Sequence, residues 1–371
     1  MKNIIKLVFV MFTVFSFSLA QAGELTVTGS AKASYRIDSS DSATGVINTT
    51  PGFGVANEFN LGASGELDNG LTWKYNINID DATVQDDAGL SVSSASLGTI
   101  ALNVSQGGLE YSKAAAITAN GERASDTGFG EGMQEEHSIG DMNNIQYHTP
   151  AGLLPFGVSF KIGYAPDTTA APTNSLNSTG GVRSGSFDAL PIRNSTLGTA
   201  TGLSQGSNIG RSMTQYQITV APIDGLTVGA SYSDIDGVTA ATGIAQQAES
   251  GSWFAKYAFG PATVAYGKAY IAPAIATSAT SLDTAEWFDN TKYSIAVNAN
   301  ENFSVAYSVE TSEANYVDNT AANIELESSS ISAAYTVGGM TLAIAQASHE
   351  NVGYVLNRDV KTTLFNVSMA F

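Results

Sequence analysis

Cysteine is absent from this chain of 371 residues, so neither a disulfide nor a cysteine-based metal site contributes to its fold. Charge is also scarce, because only 13% of the residues are charged and about a quarter is usual. Basic residues are the scarcer kind: 16 Lys and Arg stand against 34 Asp and Glu, for a formal net charge of −18. This acidic balance argues against binding to nucleic acid, which requires a basic surface.

Long apolar runs are missing after the first 22 residues, so the sequence predicts no transmembrane helix. The exception is the run at 7–19, which follows two lysines and ends at a cleavage-site pattern of small residues, Ala20 and Ala22. We predict that residues 1–22 are a secretory signal peptide, because a helix of about 13 residues is too short for a membrane span. The remainder, 23–371, shows no linker or shift in composition and is predicted to form one domain.

A period of two dominates the rest of the sequence. At 361–371 the large apolar residues Phe365, Val367, Met369 and Phe371 alternate with small or polar ones. Such alternation is typical of a β-strand with one apolar and one polar face. Sixteen segments of this kind occur, joined alternately by short turns and by long polar loops. The long loops are predicted at 38–57, 107–143, 166–212, 236–249, 272–290 and 312–325.

This rhythm of connections distinguishes between two all-β architectures. Short turns at one end and long loops at the other are typical of an outer-membrane barrel. A soluble β-protein with a dry core is the alternative, but polar residues on every second position would deny many strands a second apolar layer. Sixteen strands also enclose a lumen too wide for side chains to fill. The sequence therefore predicts an all-β fold, a transmembrane antiparallel up-and-down β-barrel of 16 strands with a water-filled interior.

Charged residues on the predicted strands lie almost entirely on the polar face, as Lys256 and Glu310 do. A basic side chain that faces lipid at mid-depth costs about 2–4 kcal/mol, which explains the segregation. Lys268 is the exception, because it shares the face of Val264 and Tyr266. We expect either a β-bulge there or a side chain that extends to the membrane surface.

Several segments of the sequence resemble the general porins of Gram-negative outer membranes. They are GELTVTGSAKASYRI (23–37), EFNLGASGELDNGLTWKYNINID (58–80), NNIQYHTP (143–150), FGVSFKIGYAP (156–166) and the final TTLFNVSMAF (362–371). The resemblance implies an outer-membrane channel for passive diffusion of ions and small hydrophilic solutes, assembled as a homotrimer. It also implies contact with lipopolysaccharide, and handling by periplasmic chaperones and the barrel-assembly machinery during biogenesis.

The same resemblance implies that the third long loop, 107–143, folds into the lumen as a constriction. Its carboxylates would form an acidic side: Glu110, Glu122, Asp126, Glu131, Glu135, Glu136 and Asp141. Inward-facing basic residues would form the opposite side: Lys32, Arg36, Lys74 and Lys161. Acids that face bases across a narrow aqueous gap create a transverse field. Because the loop carries a net charge of −5, we expect a preference for cations.

The resemblance also gives roles to two sets of residues outside the lumen. The last strand, ending in Phe, would be the sorting signal for assembly, carried by Phe365, Val367, Met369 and Phe371. Small residues on the outward face of the first two strands would form the trimer contact, since small side chains allow close packing in lipid. These are Gly29, Ala31, Ala33, Ala63 and Gly65.

Motifs for catalysis or metal binding are absent from the sequence. The three histidines, His137, His148 and His349, have no partner at metal-ligand spacing. His349 beside Glu350, placed in the last long loop, could imitate the catalytic pairs of barrel-rim hydrolases, but we expect no enzyme, no cofactor and no metal site. The acidic stretches 80–87 and 233–237 are candidates for loose calcium binding, although neither matches a full calcium loop.

Two other functions are compatible with the predicted barrel. A substrate-specific channel for sugars or phosphate would carry an aromatic stripe or a row of lysines along its lumen, and neither is evident. A barrel that serves only as an adhesin or membrane anchor would carry a passenger domain or a plugged lumen, and the sequence shows no extra domain.

Overall fold

The computed structural model describes residues 24–40, 51–80, 83–127, 132–166, 190–193, 200–203, 212–236, 244–273, 275–276, 285–316 and 323–371. These residues form 20 strands. In chain order they are β1 (Glu24–Ser40), β2 (Gly52–Glu66), β3 (Thr72–Asp80), β4 (Thr83–Ser94), β5 (Gly98–Val104), β6 (Asn144–His148), β7 (Ser159–Ala165), β8 (Leu190–Arg193), β9 (Ala200–Leu203), β10 (Ser212–Ile223), β11 (Leu226–Asp236), β12 (Ile244–Gln246), β13 (Ala248–Phe259), β14 (Ala262–Ala272), β15 (Ile275–Ala276), β16 (Ala285–Asn298), β17 (Phe303–Tyr316), β18 (Ile324–Val337), β19 (Met340–Glu350) and β20 (Val360–Ala370).

Sixteen of these strands close into a single antiparallel barrel, as the sequence predicts. Each barrel strand pairs with the next barrel strand along the chain, and β20 pairs with β1 to close the ring. The β8–β9 and β12–β15 pairs are separate two-stranded sheets within the connections. The described part of the chain contains no helix with the length and hydrophobicity that a membrane span requires. The predicted signal peptide, 1–22, lies outside the described residues.

The outer face of the barrel is apolar and the inner face is largely polar. Large hydrophobic side chains such as Ile295, Ile344 and Phe365 are more than 40% exposed although they stand in mid-strand. Their neighbours on the opposite register, such as Ser294 and Ser308, are buried inside the barrel. A continuous band of exposed apolar side chains is unfavourable in water but suits a hydrocarbon environment.

Short turns join the strands at one end of the barrel, as predicted. In the β2–β3 turn, the Gly70 N–H donates to the Leu67 carbonyl (2.8 Å), and Gly70 has a φ of +78°. The β10–β11 turn requires glycine more strictly. Gly225 has a φ of +79°, and a Cβ there would lie 2.3 Å from the Ala258 carbonyl oxygen. A positive φ is available to glycine at little cost, so these residues fix the hairpins.

The predicted loop boundaries at the opposite end were partly wrong. β1 and β2 extend into the predicted loop 38–57, β16 into 272–290, and β17 and β18 into 312–325. The acidic stretch 80–87 lies mostly at the end of β3 and in β4 rather than in a loop. The strands continue past the membrane boundary, where their outward side chains become polar and alternation no longer marks them.

Lys268 lies on the outward face of β14, and no bulge shifts its register. The β13–β14 and β14–β16 ladders run without interruption through Trp253, Lys268 and Thr291. The Lys268 ammonium lies 3.7 Å from the carboxylate of Asp289, near the loop end of the barrel, and both side chains are about half exposed. The positive charge is therefore paired at the edge of the apolar band rather than placed in its centre.

Candidate functional site: a loop folded into the barrel

We call the connection between β5 and β6, residues 105–143, the inner loop. Its described residues, 105–127 and 132–143, run along the inside of the barrel. Its described backbone amides donate to inward serines of distant strands. The Ile117 N–H donates to Ser294 on β16 (3.1 Å), and the Ala119 N–H donates to Ser332 on β18 (2.9 Å). The loop then returns, and the His137 N–H donates to Ser250 on β13 (2.9 Å). The third long loop therefore occupies the lumen, as predicted.

The serines that hold the inner loop were not identified as functional in the sequence. They occupy the inward register of β11 to β18 and are buried beneath the loop: Ser231, Ser250, Ser252, Ser294 and Ser332. A serine hydroxyl is short and can donate or accept, so a loop backbone can approach the wall closely. The only signal in the sequence was the repetition of serine at inward positions of these strands, as at 231, 250, 252, 294 and 332.

Apolar contacts also hold the two ends of the loop. Leu109, Ile139 and Met142 of the loop form a buried cluster with Met213 of β10 and Ile235 of β11. Farther along, the Tyr111 ring packs against Phe254 of β13 with ring centroids 4.7 Å apart, and its hydroxyl contacts Thr219. The inward face is therefore not uniformly polar, in contrast to the prediction, because the loop needs an apolar surface to pack against.

A second apolar cluster lies beside β16 to β18, at the end of the barrel that carries the long loops. Phe288, Tyr316 and Leu326 are fully buried there and pack around Tyr354, which lies in the segment between β19 and β20. The Tyr354 hydroxyl accepts from the backbone N–H of Gln134 in the inner loop (2.9 Å). The segment between β19 and β20 therefore contacts the inner loop at Gln134.

A buried cluster of four charges fixes the middle of the inner loop to the wall. Glu135 of the loop contacts Lys292 on β16 (2.5 Å) and Arg123 (2.7 Å). Glu310 on β17 contacts the same two cations, at 2.7 Å from Lys292 and 3.2 Å from Arg123. Burial alone would raise the pKa of Glu135, but Lys292, Arg123 and the more distant Lys113 outweigh it and lower the pKa to about 2.

Glu136, the next residue, has different surroundings. It is 6% exposed and accepts hydrogen bonds from Ser231, Ser252 and the Tyr111 backbone, rather than from a cation. Burial raises its pKa to about 7 in spite of these hydrogen bonds, and the nearby carboxylate of Glu110 raises it further. Burial also raises the pKa of Glu110, which accepts from Ser138 (2.8 Å). Glu136 is therefore turned towards the wall, and Glu110 towards Ser138 within the loop.

The remaining predicted acidic residues lie closer to the open lumen. Glu122 forms an ion pair with Lys32 of β1, so the loop reaches across to the first strand. The Asp126 side chain is 65% exposed, 4.0 Å from Arg123, and Asp141 is also exposed. Glu131 lies outside the described residues.

The four predicted basic residues also differ in how far they are exposed to the lumen. Lys32 and Arg36 are about one-third exposed, and Arg36 pairs with Asp38 on its own strand (2.8 Å). Lys74 is exposed on the inward register of β3, and Lys161 is half-buried on β7. Lys32 and Arg36 line one cavity with Glu122 and Asp126, beside the first two strands. Lys292 was not among the predicted basic residues, although its inward position follows from the outward Tyr293.

The predicted sorting and trimer residues lie on the outward face around the seam between β20 and β1. Phe365, Val367 and Met369 are exposed on β20. Phe371 follows the strand, and its carbonyl accepts from the Gly29 N–H (2.8 Å). The Phe371 ring covers Gly29, and the Trp73 ring covers Gly65 in the same way. Ala31, Ala33 and Ala63 continue this outward face.

The histidines serve structural roles in the described residues. His349 was predicted in a loop, but it lies on the inward face of β19, where it contacts Ser328 and Thr127. His148 contacts Gln146 on β6, and the backbone of His137 joins the loop to β13. No group of three or more His, Asp or Glu that could hold a metal ion occurs in the part of the chain that the structure describes.

A closed sixteen-strand barrel with an apolar exterior, a polar lumen and a loop folded inside defines an outer-membrane channel protein. Residues 8–285 match the family model described as Gram-negative porin, and the chain belongs to this family. It is an integral β-barrel of the bacterial outer membrane and not an enzyme, as the sequence predicts. The short turns are accordingly periplasmic and the long loops extracellular. No curated protein sequence matches the chain.

Solved porins share this fold at low sequence identity. A porin solved at high resolution is 15% identical with a TM-score of 0.58, and the match covers 94% of this chain and all of that one. The anion-selective porin from Comamonas acidovorans is 10% identical with a TM-score of 0.61, covering 94% and 100%. OmpF of Salmonella typhi, in complex with daunomycin, is 13% identical with a TM-score of 0.59, covering 95% and 100%.

Proposed function

We propose that this porin is a water-filled channel for passive diffusion of ions and small hydrophilic solutes, with a modest preference for cations. The observation that carries the proposal is the asymmetry of the lumen. The inner loop packs against β10 to β19, whereas inward side chains of β1 to β3 such as Ser64 and Lys74 stay exposed. The channel then lies between the loop and the wall of β1 to β3, and needs neither a conformational cycle nor an energy source.

The cation preference rests on the charges that line this space. Outside the buried cluster of four, and among the side chains that the structure describes, the carboxylates on the inward register or the inner loop are Asp38, Glu58, Glu66, Asp87, Glu110, Glu122, Asp126, Glu136 and Asp141. The corresponding basic residues are Lys32, Arg36, Lys74, Lys113, Lys161 and Lys256. Carboxylates are in excess, and low-dielectric walls focus their field in the channel. The excess is small because Glu136 is buried and Glu110 is partly buried, so we propose a modest preference.

Single-channel recording in a planar bilayer with a KCl gradient tests this function. The expected result is a stable open conductance with a reversal potential of the cation-selective sign. The variant Asp126→Lys, which changes an exposed carboxylate into a cation, should move the reversal potential towards anions and leave the channel open. A wild-type reversal potential on the anion side would contradict the proposed selectivity, and silence at every voltage would contradict the channel itself.

We also propose the partners that membership of this family suggests: a homotrimer in contact with lipopolysaccharide, delivered by periplasmic chaperones and the barrel-assembly machinery. The small outward residues Ala31, Ala33 and Ala63 support a close contact between copies at β1 and β2. Closure of the recorded conductance in three equal steps supports the trimer, and one step only would contradict it. We further propose that Phe365, Val367, Met369 and Phe371 carry the sorting signal. Phe371→Ala should then lower the amount of barrel in the outer membrane, and an unchanged amount would contradict this role.

A further inference from the structure

The connection between β6 and β7, residues 149–158, is the longest periplasmic turn that the structure describes, and it contains no charged residue. Its central stretch, AGLLPFG (151–157), is exposed at every residue, and none of these residues has a polar side chain. Leu153, Leu154 and Phe156 are 59%, 38% and 70% exposed. Apolar surface of this extent is unfavourable in water, so an aqueous periplasm does not explain the turn.

The two neighbouring turns extend the same surface. Leu97 in the β4–β5 turn is 62% exposed, and Ile223 at the β10–β11 turn is 60% exposed. The turns lie against each other, because a Cβ on Gly98 would be 3.1 Å from the Pro150 ring and one on Gly157 would be 3.5 Å from the Ala221 side chain. We call the exposed apolar side chains of these three turns the apolar edge: Leu97, Leu153, Leu154, Phe156 and Ile223.

Other periplasmic turns have ordinary polar surfaces. The β2–β3 turn exposes Asp68 and Asn69, and the β16–β17 turn exposes Glu301 and Asn302. The periplasmic rim of the barrel is therefore apolar from β4 to β11 and polar at these two other turns.

The backbone of the β6–β7 turn holds the apolar side chains in an ordered arrangement. The Thr149 N–H donates to the Phe160 carbonyl (3.0 Å), and the Val158 N–H donates to the Pro155 carbonyl (3.2 Å). Between these bonds, Phe156 has a φ of +59°, which is unfavourable for a residue with a large side chain. The chain thus accepts a conformational cost at a residue whose ring is exposed, and such costs are concentrated where the residue has a function.

The strands beside this turn are short for a membrane span. β5, β6 and β7 have 7, 5 and 7 residues, whereas the other barrel strands have 9 to 17. A transmembrane β-strand tilted by about 45° needs about 9–11 residues. Five residues at this tilt rise only about 12 Å, and the apolar band of a barrel is about 25 Å tall. Strands alone therefore leave the band incomplete on this side.

We propose that the apolar edge is inserted into the periplasmic leaflet of the outer membrane, where it contacts phospholipid acyl chains just below the head groups. The occupant is lipid because the edge is continuous with the lipid-facing surface. Tyr147, on the outward face of β6, donates from its hydroxyl to the Leu97 carbonyl (3.1 Å), and Phe160 continues the turn into β7. The edge lies outside the lumen, so the proposal does not depend on the channel function.

Acyl chains rather than head groups are the part of the lipid that the edge recognises. The three turns contain one charged residue, Asp224, which is exposed and would lie in the head-group layer. Insertion should therefore be the same in phosphatidylcholine and in phosphatidylglycerol vesicles, and should not depend on salt.

Spin labels measure the depth of the edge directly, because the chain has no cysteine of its own. Leu153→Cys and Phe156→Cys are labelled with a nitroxide and folded into phosphatidylcholine vesicles. Power saturation then compares collisions with oxygen, which dissolves in lipid, and with a water-soluble nickel chelate. The ratio of oxygen to nickel collisions should be above one at both positions, as at the lipid-facing control Ile344→Cys. It should be below one at Glu301→Cys in the β16–β17 turn.

The other outcomes of this measurement overturn the proposal. A ratio below one at 153 and 156 would place the edge in water. Few collisions with either reagent would show that protein, such as a second copy of this chain, covers the edge instead of lipid. The vesicles contain only lipid and this protein, so a ratio above one identifies lipid as the occupant. Inserted labels on a barrel that conducts no current would refute the channel function alone.

Bilayer thickness provides a second test without any label. The double variant Leu153→Ser with Phe156→Ser shortens the apolar height beside β6, so its folded yield should fall in long-chain phosphatidylcholine and stay near the wild type in short-chain phosphatidylcholine. Glu301→Ser is the control and should behave as the wild type in both lipids. An unchanged yield of the double variant in the thick bilayer, or an equal loss in both bilayers, would contradict insertion.

Discussion

Replacing Lys292 by methionine is expected to lower the free energy of unfolding by about 3–5 kcal/mol, the usual cost of removing one partner from a buried ion pair. Lys292 is 2% exposed and lies within 2.7 Å of both Glu135 and Glu310. Without it, two buried carboxylates share the single guanidinium of Arg123. The loss should appear in equilibrium unfolding by denaturant in detergent, and detachment of the inner loop should appear as increased noise in the single-channel current.

A double variant shows whether charge balance or lost packing causes this effect. Lys292→Met combined with Glu310→Leu removes one charge of each sign and leaves the Glu135–Arg123 pair intact. We expect the double variant to be more stable than Lys292→Met alone, because fewer uncompensated charges stay buried. Lys256→Met is the matched control on the inward face of β13, and it should change the stability by less than about 0.5 kcal/mol. Equal losses for Lys256→Met and Lys292→Met would contradict the role of the cluster.

Arginine at position 344 should destabilise the barrel by about 2–4 kcal/mol, because Ile344 faces lipid near the middle of β19. The adjacent Ala343 faces the lumen on the opposite register. Arginine at that position should be tolerated, since its charge reaches water. The pair Ile344→Arg and Ala343→Arg therefore compares the same new side chain at neighbouring positions.

Folding into lipid vesicles followed by urea titration measures the difference between these two variants. Ile344→Arg should reduce both the folded yield and the urea midpoint, and Ala343→Arg should stay close to the wild type. Similar behaviour of the two variants, or a greater loss for Ala343→Arg, would contradict the assignment of the two faces to lipid and water.

Alternation alone gave the sixteen strands, because lipid on one side and water on the other impose a period of two. Tyr293, Ile295 and Val297 marked β16 in this way, for example. Above the membrane boundary both faces of a strand meet polar surroundings, so alternation no longer marks the strand. The end of β16 beyond this boundary, for example, carries the charged Asp289 on its outward face. The corresponding end of β19 carries His349, which was predicted in a loop for the same reason.

The position of the inner loop could be predicted from the order of the connections, but the way it is held could not. A serine on an inward face has the same appearance in the sequence whether it contacts water or a loop backbone, as Ser64 and Ser294 show. The partners of Glu135 and Glu136 depend on which strand each residue of a long loop reaches. No local pattern in the sequence contains that information. Glu135, which pairs with cations, and Glu136, which is held by neutral groups, therefore could not be distinguished from the sequence.

The inner loop covers the wall of β10 to β19 and leaves the channel open along β1 to β3, where its described side-chain contacts are those of Glu122 with Lys32 and of Gln106 with Asn76. Because the chain has no cysteine, a single introduced thiol can report on each wall without interference. Ser64→Cys on β2 and Ser294→Cys on β16 are matched substitutions on the inward face, the first exposed and the second 6% exposed beneath Ala115 and Ile117. A charged methanethiosulfonate applied during current recording should react with Cys at 64 at least about tenfold faster, and should reduce the conductance. Equal rates at the two positions, or faster reaction at 294, would contradict the account.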